Sequence, residues 1–246
     1  MEPTRLRLVR CLAQAYRSSK RSTLCISRAE TNAITIRPVI CHPSFFTRRT
    51  APVRSIATSS FSTAFPALQP YKTHQPTSFP GSPRIHSFYD DSTSTWTFVV
   101  ADPATFEAII VDPVLDFDPI SGKVSQESVK GLVGFVEKEG YKVVRICETH
   151  VHADHLTGAY ALKQLLSGHP PVFIGARVVD VQDRFAPEYG LHPAEMDNAF
   201  DGFMQDGESF KVGSLTAVAR SLPGHTPDSM GILIGDAVFA GDSLFL

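Results

Sequence analysis

Four side chains able to bind a metal fall within six residues, at His150, His152, Asp154 and His155. Imidazole nitrogens and a carboxylate suit borderline divalent cations such as zinc, iron and manganese. The segment follows an apolar run that ends at Cys147, so it reads as a strand opening into a loop. Side chains alternate along extended chain, which lets His150 and His152 point to one side. Asp154 and His155 are then expected at the start of the following helix, facing back toward the same cavity, so that one short segment feeds two adjacent metal positions. A surface loop would account for a single histidine; His42, His74, His86, His169 and His192 lack such company and receive no role. Three histidines and an aspartate packed this closely point to a metal.

Two later segments offer further donors. Pro223-Gly224-His225-Thr226-Pro227 follows a strand candidate, and Gly241-Asp242-Ser243 follows the next hairpin. Alone, the first could be a turn and the second a cap.

The elements that must position these residues are legible as runs. Trp96–Ala101 and Ala108–Val111 are β-branched and aromatic, separated by Asp102-Pro103, and predict an antiparallel pair. Val129, Leu132, Val133 and Val136 recur at helical spacing, which predicts a helix capped by Ser125 and ending near Gly140. A buried strand over Lys142–Glu148 follows, then a helix through Ala159, Leu162, Leu165 and Leu166, a strand at Val172–Ile174 and a helix over Ala176–Phe185. Ser209–Val212, Leu215–Ser221, Met230–Ile234 and Ala237–Ala240 read as strands. Strands with helices between them argue for a layered α/β fold.

Composition divides the chain. Of its 246 residues, 43% are hydrophobic and 20% charged, ordinary for a globular protein. Residues 1–60 hold ten Arg and one Lys against two acids, a balance of +9, whereas the rest holds 12 bases against 23 acids, −11. An Arg-rich, Ser/Thr-rich, acid-poor start is the composition of a mitochondrial transit peptide, and 1–60 is assigned that role, with the matrix as destination. Residues 61–84, rich in Pro, Ser and Thr, read as a linker without a packed core, and order is expected to begin near Ile85. The domain is therefore placed at 85–246. Its acidity argues against nucleic acid, and no apolar run approaches the ~18 residues of a membrane span. Three cysteines lie in the first 60 residues, leaving Cys147 alone in the domain and excluding a disulfide framework there.

Thr149-His150-Val151-His152-Ala153-Asp154-His155, with His225 and Asp242 in order behind it, resembles the signature of the metallo-β-lactamase superfamily. The resemblance covers roughly 85–246 and implies an αββα sandwich with metal at the edge between its sheets. Val111-Asp112-Pro113-Val114, Ala153–Gly158 and His225-Thr226-Pro227 are similar to the persulfide dioxygenase branch. That likeness implies one Fe(2+) held by His150, His225 and Asp242, with His152, Asp154 and His155 acting around the ligands as hydrogen-bond partners. It also implies glutathione persulfide and O2 as substrates, sulfite and glutathione as products, and a homodimer as an expected assembly.

The chain stops four residues past Asp242, where members of the branch continue with further elements, a late histidine and their glutathione-binding residues. Exposed apolar surface and unpaired sheet edges are the expectation. The nearest rival resemblance is to hydroxyacylglutathione hydrolases, which would place two Zn(2+) or iron ions on His150, His152, His225, Asp154 and His155, bridged by Asp242. A non-catalytic metal-binding fragment is the third reading.

Overall fold

The computed structural model describes the backbone of residues 25–27 and residues 65–192, 196 and 198–244. Most of 1–60, on which the presequence expectation falls, lies outside the described residues.

Two sheets and a helical layer are built in chain order. β1 (Cys25–Ser27) precedes β2 (Lys72–His74), β3 (Arg84–Asp90), β4 (Thr95–Ala101) and β5 (Glu107–Val111). Two-residue strands β6 (Val114–Leu115), β7 (Phe117–Asp118) and β8 (Lys123–Val124) lead into α1 (Glu127–Glu139). β9 (Lys142–Cys147), β10 (Leu156–Thr157), α2 (Ala159–Leu165), β11 (Val172–Gly175), α3 (Val178–Phe185) and β12 (Gly202–Met204) follow. β13 (Ser209–Val212), β14 (Leu215–Ser221), β15 (Met230–Ile234) and β16 (Ala237–Phe239) complete the order.

Among the described residues the larger sheet runs β12-β11-β9-β5-β4-β3-β2 and the smaller β1-β16-β15-β14-β13. β2 to β5 pair antiparallel, whereas β5, β9, β11 and β12 pair in parallel. Parallel neighbours need crossovers, and α1, α2 and α3 supply them. Alternation along the central strands sorts their side chains into two cores. Phe98 and Val100 of β4, with Ile109 and Val111 of β5, face the second sheet and pack with Val212, Ala217, Ile232 and Phe239. Val99, Ala101, Ala108 and Ile110 face the other way, onto Val129, Leu132, Val133 and Val136 of α1 and Leu162 of α2. The result is a helix layer on a sheet-on-sheet sandwich, the mixed α/β architecture expected.

At the end of the sandwich where β4 finishes, one buried carboxylate stitches the sheets together. Asp102 accepts from Ser214 N at 2.6 Å and Ser214 Oγ at 2.8 Å, in the β13–β14 turn, and from Thr105 Oγ1 and Ala104 N on its own side. Burial alone would raise its pKa, but those donors outweigh it and bring the carboxyl to about 2.

Four expectations are corrected. Residues 65–84 are not a linker without a core: β2 pairs with β3, and Phe65, Ala67 and Leu68 pack on the α1 layer. Two glycines of α1 admit this strap, since a β-carbon at Gly134 would lie 2.3 Å from Phe65 O. Ser125 does not cap α1; the carboxylate of Asp116 does, taking Ser128 N at 3.0 Å and Ser128 Oγ at 2.5 Å. Asp154 and His155 precede β10 rather than opening a helix, and α2 starts only at Ala159. Sheet edges were expected to be unpaired, yet on the far sheet β16 pairs with β1, Cys25 opposite Phe239.

Candidate metal centre

Parallel pairing of β5 with β9 brings their C-terminal ends together, Val111 opposite Cys147. Asp112 therefore emerges beside Glu148, Thr149 and His150, and its N–H donates to Cys147 O at 3.0 Å. In the second sheet β14 and β16 both run antiparallel to β15, so they point the same way. β14 leads toward His225 and β16 into Gly241-Asp242. Both sheets thus empty their chemistry-bearing loops at one edge of the sandwich.

There the side-chain donor atoms of His150, His225 and Asp242 lie within 4.8 Å of one another. The His225 Nε2 to Asp242 Oδ2 separation is 3.5 Å. His152, Asp154 and His155 form a second such group, and Asp112, Glu148 and His152 a third, fully buried one. The rings are in close succession, with centroids 4.2 Å apart for His150 and His152, 4.3 Å for His152 and His155, and 5.0 Å for His150 and His225.

Hydrogen bonds fix the tautomers. Thr149 has one hydroxyl proton and gives it to Asp112 Oδ2 at 2.8 Å. Its 3.0 Å contact with His150 Nδ1 then requires the ring N–H to donate. His150 Nε2 is left with a bare lone pair, buried and without a hydrogen-bond partner among the described residues. His155 follows the same logic: Nδ1 faces Leu156 O at 3.1 Å and must donate, which leaves Nε2 buried and bare. A lone pair buried without a donor is costly, and a metal cation relieves that cost. The donor set therefore fits a metal.

The charges agree. Burial pushes the pKa of His150 well below its ordinary value, and the neighbouring histidines add to this. Burial, then His152, brings His155 down to about 4. Burial, then the nearby Asp154 carboxylate, raises Asp242. Neutral imidazoles beside a carboxylate pushed toward its uncharged form make a site that gains from a divalent cation. His152 differs. Burial alone would lower its pKa, but Asp112 and Glu148 raise it well above the ordinary range. Its Nε2–H lies 3.1 Å from Asp112 Oδ1 and 3.0 Å from Glu148 Oε2.

Orientation of His150 thus comes from Thr149, itself held at its N–H by Asp112 Oδ1 at 2.7 Å, and not from His152 or His155. Asp112, Glu148 and Thr149 received no role from the sequence. A signal was present: a carboxylate directly after each of two apolar strands, at Val111-Asp112 and Cys147-Glu148. Asp112 also holds a left-handed backbone, φ 49°, with its carbonyl accepting from Thr97 Oγ1 at 2.8 Å. Such strain persists where surroundings over-determine it.

The chain is similar to known proteins in sequence and fold. The sequence model of the family described as "Metallo-beta-lactamase superfamily" matches residues 91–246. The "Beta-lactamase hydrolase-like protein" of Xylella fastidiosa is 36% identical over 166 residues, 67% of this chain and 38% of that protein. The human "Persulfide dioxygenase ETHE1, mitochondrial" is 27% identical over 164 residues, 66% of this chain and 53% of that one. The crystal structure of ETHE1 from Myxococcus xanthus superposes with a TM-score of 0.50 at 28% identity, covering 66% of this chain and 58% of that one. The chain therefore spans between 38% and 58% of the length of these relatives.

Proposed function

The chain belongs to the metallo-β-lactamase superfamily, and on that footing we propose that it is a persulfide dioxygenase holding one Fe(II) ion. One observation carries the reading: His150, His225 and Asp242 bring their donor atoms within 4.8 Å of one another. Two imidazoles and one carboxylate are the donor set of non-haem iron oxygenases, which leave positions open for reactants. Likeness to the proteins named persulfide dioxygenase supports it.

When bound, the iron would supply open coordination positions and the redox capacity for O2 chemistry. The protein's own residues do the rest. Thr149 presents His150 Nε2 by occupying Nδ1. Asp112 and Glu148 hold His152 by its Nε2–H, with its ring centroid 4.2 Å from that of His150. His155 gives its Nδ1–H to Leu156 O and keeps Nε2 bare beside the His152 ring. The balanced reaction joins glutathione persulfide, O2 and water to give glutathione and sulfurous acid, which ionises to sulfite. The mitochondrial matrix is proposed from the arginine-rich residues 1–60. No described helix is long and apolar enough to cross a membrane.

A second reading rests on the second donor group. His152, Asp154 and His155 lie within 4.8 Å of one another, and a second ion there would make a binuclear hydrolase of glutathione thioesters.

The test is to purify the full chain anaerobically, count bound iron and zinc, and follow O2 uptake with glutathione persulfide. About one iron per chain with uptake lost in His225→Ala supports the dioxygenase. Two metals with thioester hydrolysis and no O2 uptake overturn it in favour of the hydrolase.

A further inference from the structure

The loops that carry His150 and His225 belong to different sheets, and two hydrogen bonds join them on either side of His150. Met230 N donates to Thr149 O at 2.8 Å. Val151 N donates to Asp228 Oδ2 at 3.0 Å. Thr149 and Val151 are the two chain neighbours of His150, so its backbone is held from both sides by the 225–230 loop. The first bond is main chain to main chain, and most residues could supply it. The second depends on a single side chain.

That side chain is unusual for its place. Asp228 is 1% exposed, and its Oδ1 has no hydrogen-bond partner among the described residues. Burying a carboxylate with one oxygen unsatisfied is unfavourable. The fold tolerates it at the one point where the His225 loop meets the peptide between His150 and His152.

We infer that Asp228 is a positioning residue of the metal centre: through the Val151 N–H it sets how far His150 stands from His225, and hence the fit of the cation. The inference rests on the proposed metal reading. It concerns the acceptor oxygen and its reach, which gives it a specific signature. Asn at 228 keeps an oxygen at the same reach. Leu keeps similar bulk without an acceptor, and Ala keeps neither.

The experiment titrates the full metal-free chain with Co(II) against a competing chelator, for the wild type, Asp228→Asn, Asp228→Leu and Asp228→Ala. The expected result is Asn within about threefold of the wild type and Leu and Ala weaker by about 10- to 100-fold, the usual cost of losing a group that orients a ligand. The visible Co(II) absorption should change in Leu and Ala and be kept in Asn, and thermal melts of the metal-free proteins show which variants fold. Wild-type affinity and spectrum in Asp228→Leu, or a loss in Asp228→Asn as large as in Leu, overturns the inference. Should Ala fail to fold, the Asn–Leu comparison decides. Failure of the metal reading looks different, because the wild type itself then takes up no Co(II). In that event amide hydrogen exchange at Val151 decides: protection kept in Asn and lost in Leu supports the tie, and equal protection in all variants overturns it.

Discussion

Gly241 and Thr149 meet with no room for another carbon: a β-carbon at 241 would lie 2.2 Å from Thr149 Oγ1. The two residues follow strands of different sheets, one preceding Asp242 and the other preceding His150. Gly241 also holds φ 51°, a conformation that costs a side chain extra. Gly241→Ala should therefore push the two ligand loops apart. We expect a loss of about 1–3 kcal/mol of stability and at least about tenfold weaker metal binding, read by denaturant unfolding and chelator competition.

Asp112 should be more costly to lose than any of the groups it holds. Its carboxylate takes the Thr149 N–H, the Thr149 hydroxyl and the His152 ring N–H. Asp112→Ala leaves all three buried donors without that partner, for an expected loss of about 3–5 kcal/mol. Asp112→Asn retains one acceptor oxygen and should unfold at higher denaturant than Ala, while still binding metal more weakly than the wild type. Equal midpoints for the two variants would show that the carboxylate is not the hub described.

His86 gives the fold a pH dependence far from the metal. Burial, then the nearby Arg84, brings its pKa down to about 4, and its ring nitrogens lie 2.9 Å from Thr73 Oγ1 and 2.8 Å from Tyr141 Oη. The unfolded chain takes a proton at this histidine near pH 6.5, whereas the folded chain takes it only near pH 4. Unfolding therefore binds protons between those values, and stability falls as pH is lowered through that window. Above pH 6.5 the group contributes no slope. Measured against pH, His86→Gln should have a shallower decline in unfolding free energy between about 6.5 and 4; an unchanged slope would remove His86 as a source.

Glycine to alanine within a helix normally stabilises by roughly 1 kcal/mol. Gly134→Ala should do the opposite, because the new β-carbon meets Phe65 O at 2.3 Å. The strap would lift from α1, and limited proteolysis should cut near residue 68 faster than in the wild type. A stabilised variant with unchanged cleavage would show that the strap is not held there.

These cases mark what the residues revealed unaided. Strands β4, β5 and β13–β15 were readable because apolar and β-branched residues dominate them, and α1 because four valines and leucines keep its period. His150 stood out by the company of His152, Asp154 and His155, whereas His225 and Asp242 gained a role only through the family resemblance. The strap and β2 did not, because a three-residue strand inside Pro-, Ser- and Thr-rich chain has no period to detect. Asp116 as the cap of α1 is likewise invisible locally, lying twelve residues from Ser128. Asp112 and Glu148 are 36 positions apart in sequence, and only the parallel pairing of β5 with β9 makes them neighbours. A charge beyond an apolar run says that something is held, not what.

The proposed metal-binding donors come from loops of both sheets, His150 after a strand of the larger and His225 and Asp242 after strands of the smaller. A bound cation is therefore a rivet through the sandwich, and its affinity is a gauge of how closely the two layers stay seated. Loosening the Phe98–Phe239 contact between them, with ring centroids 5.2 Å apart, should lower the affinity for a metal that neither ring touches.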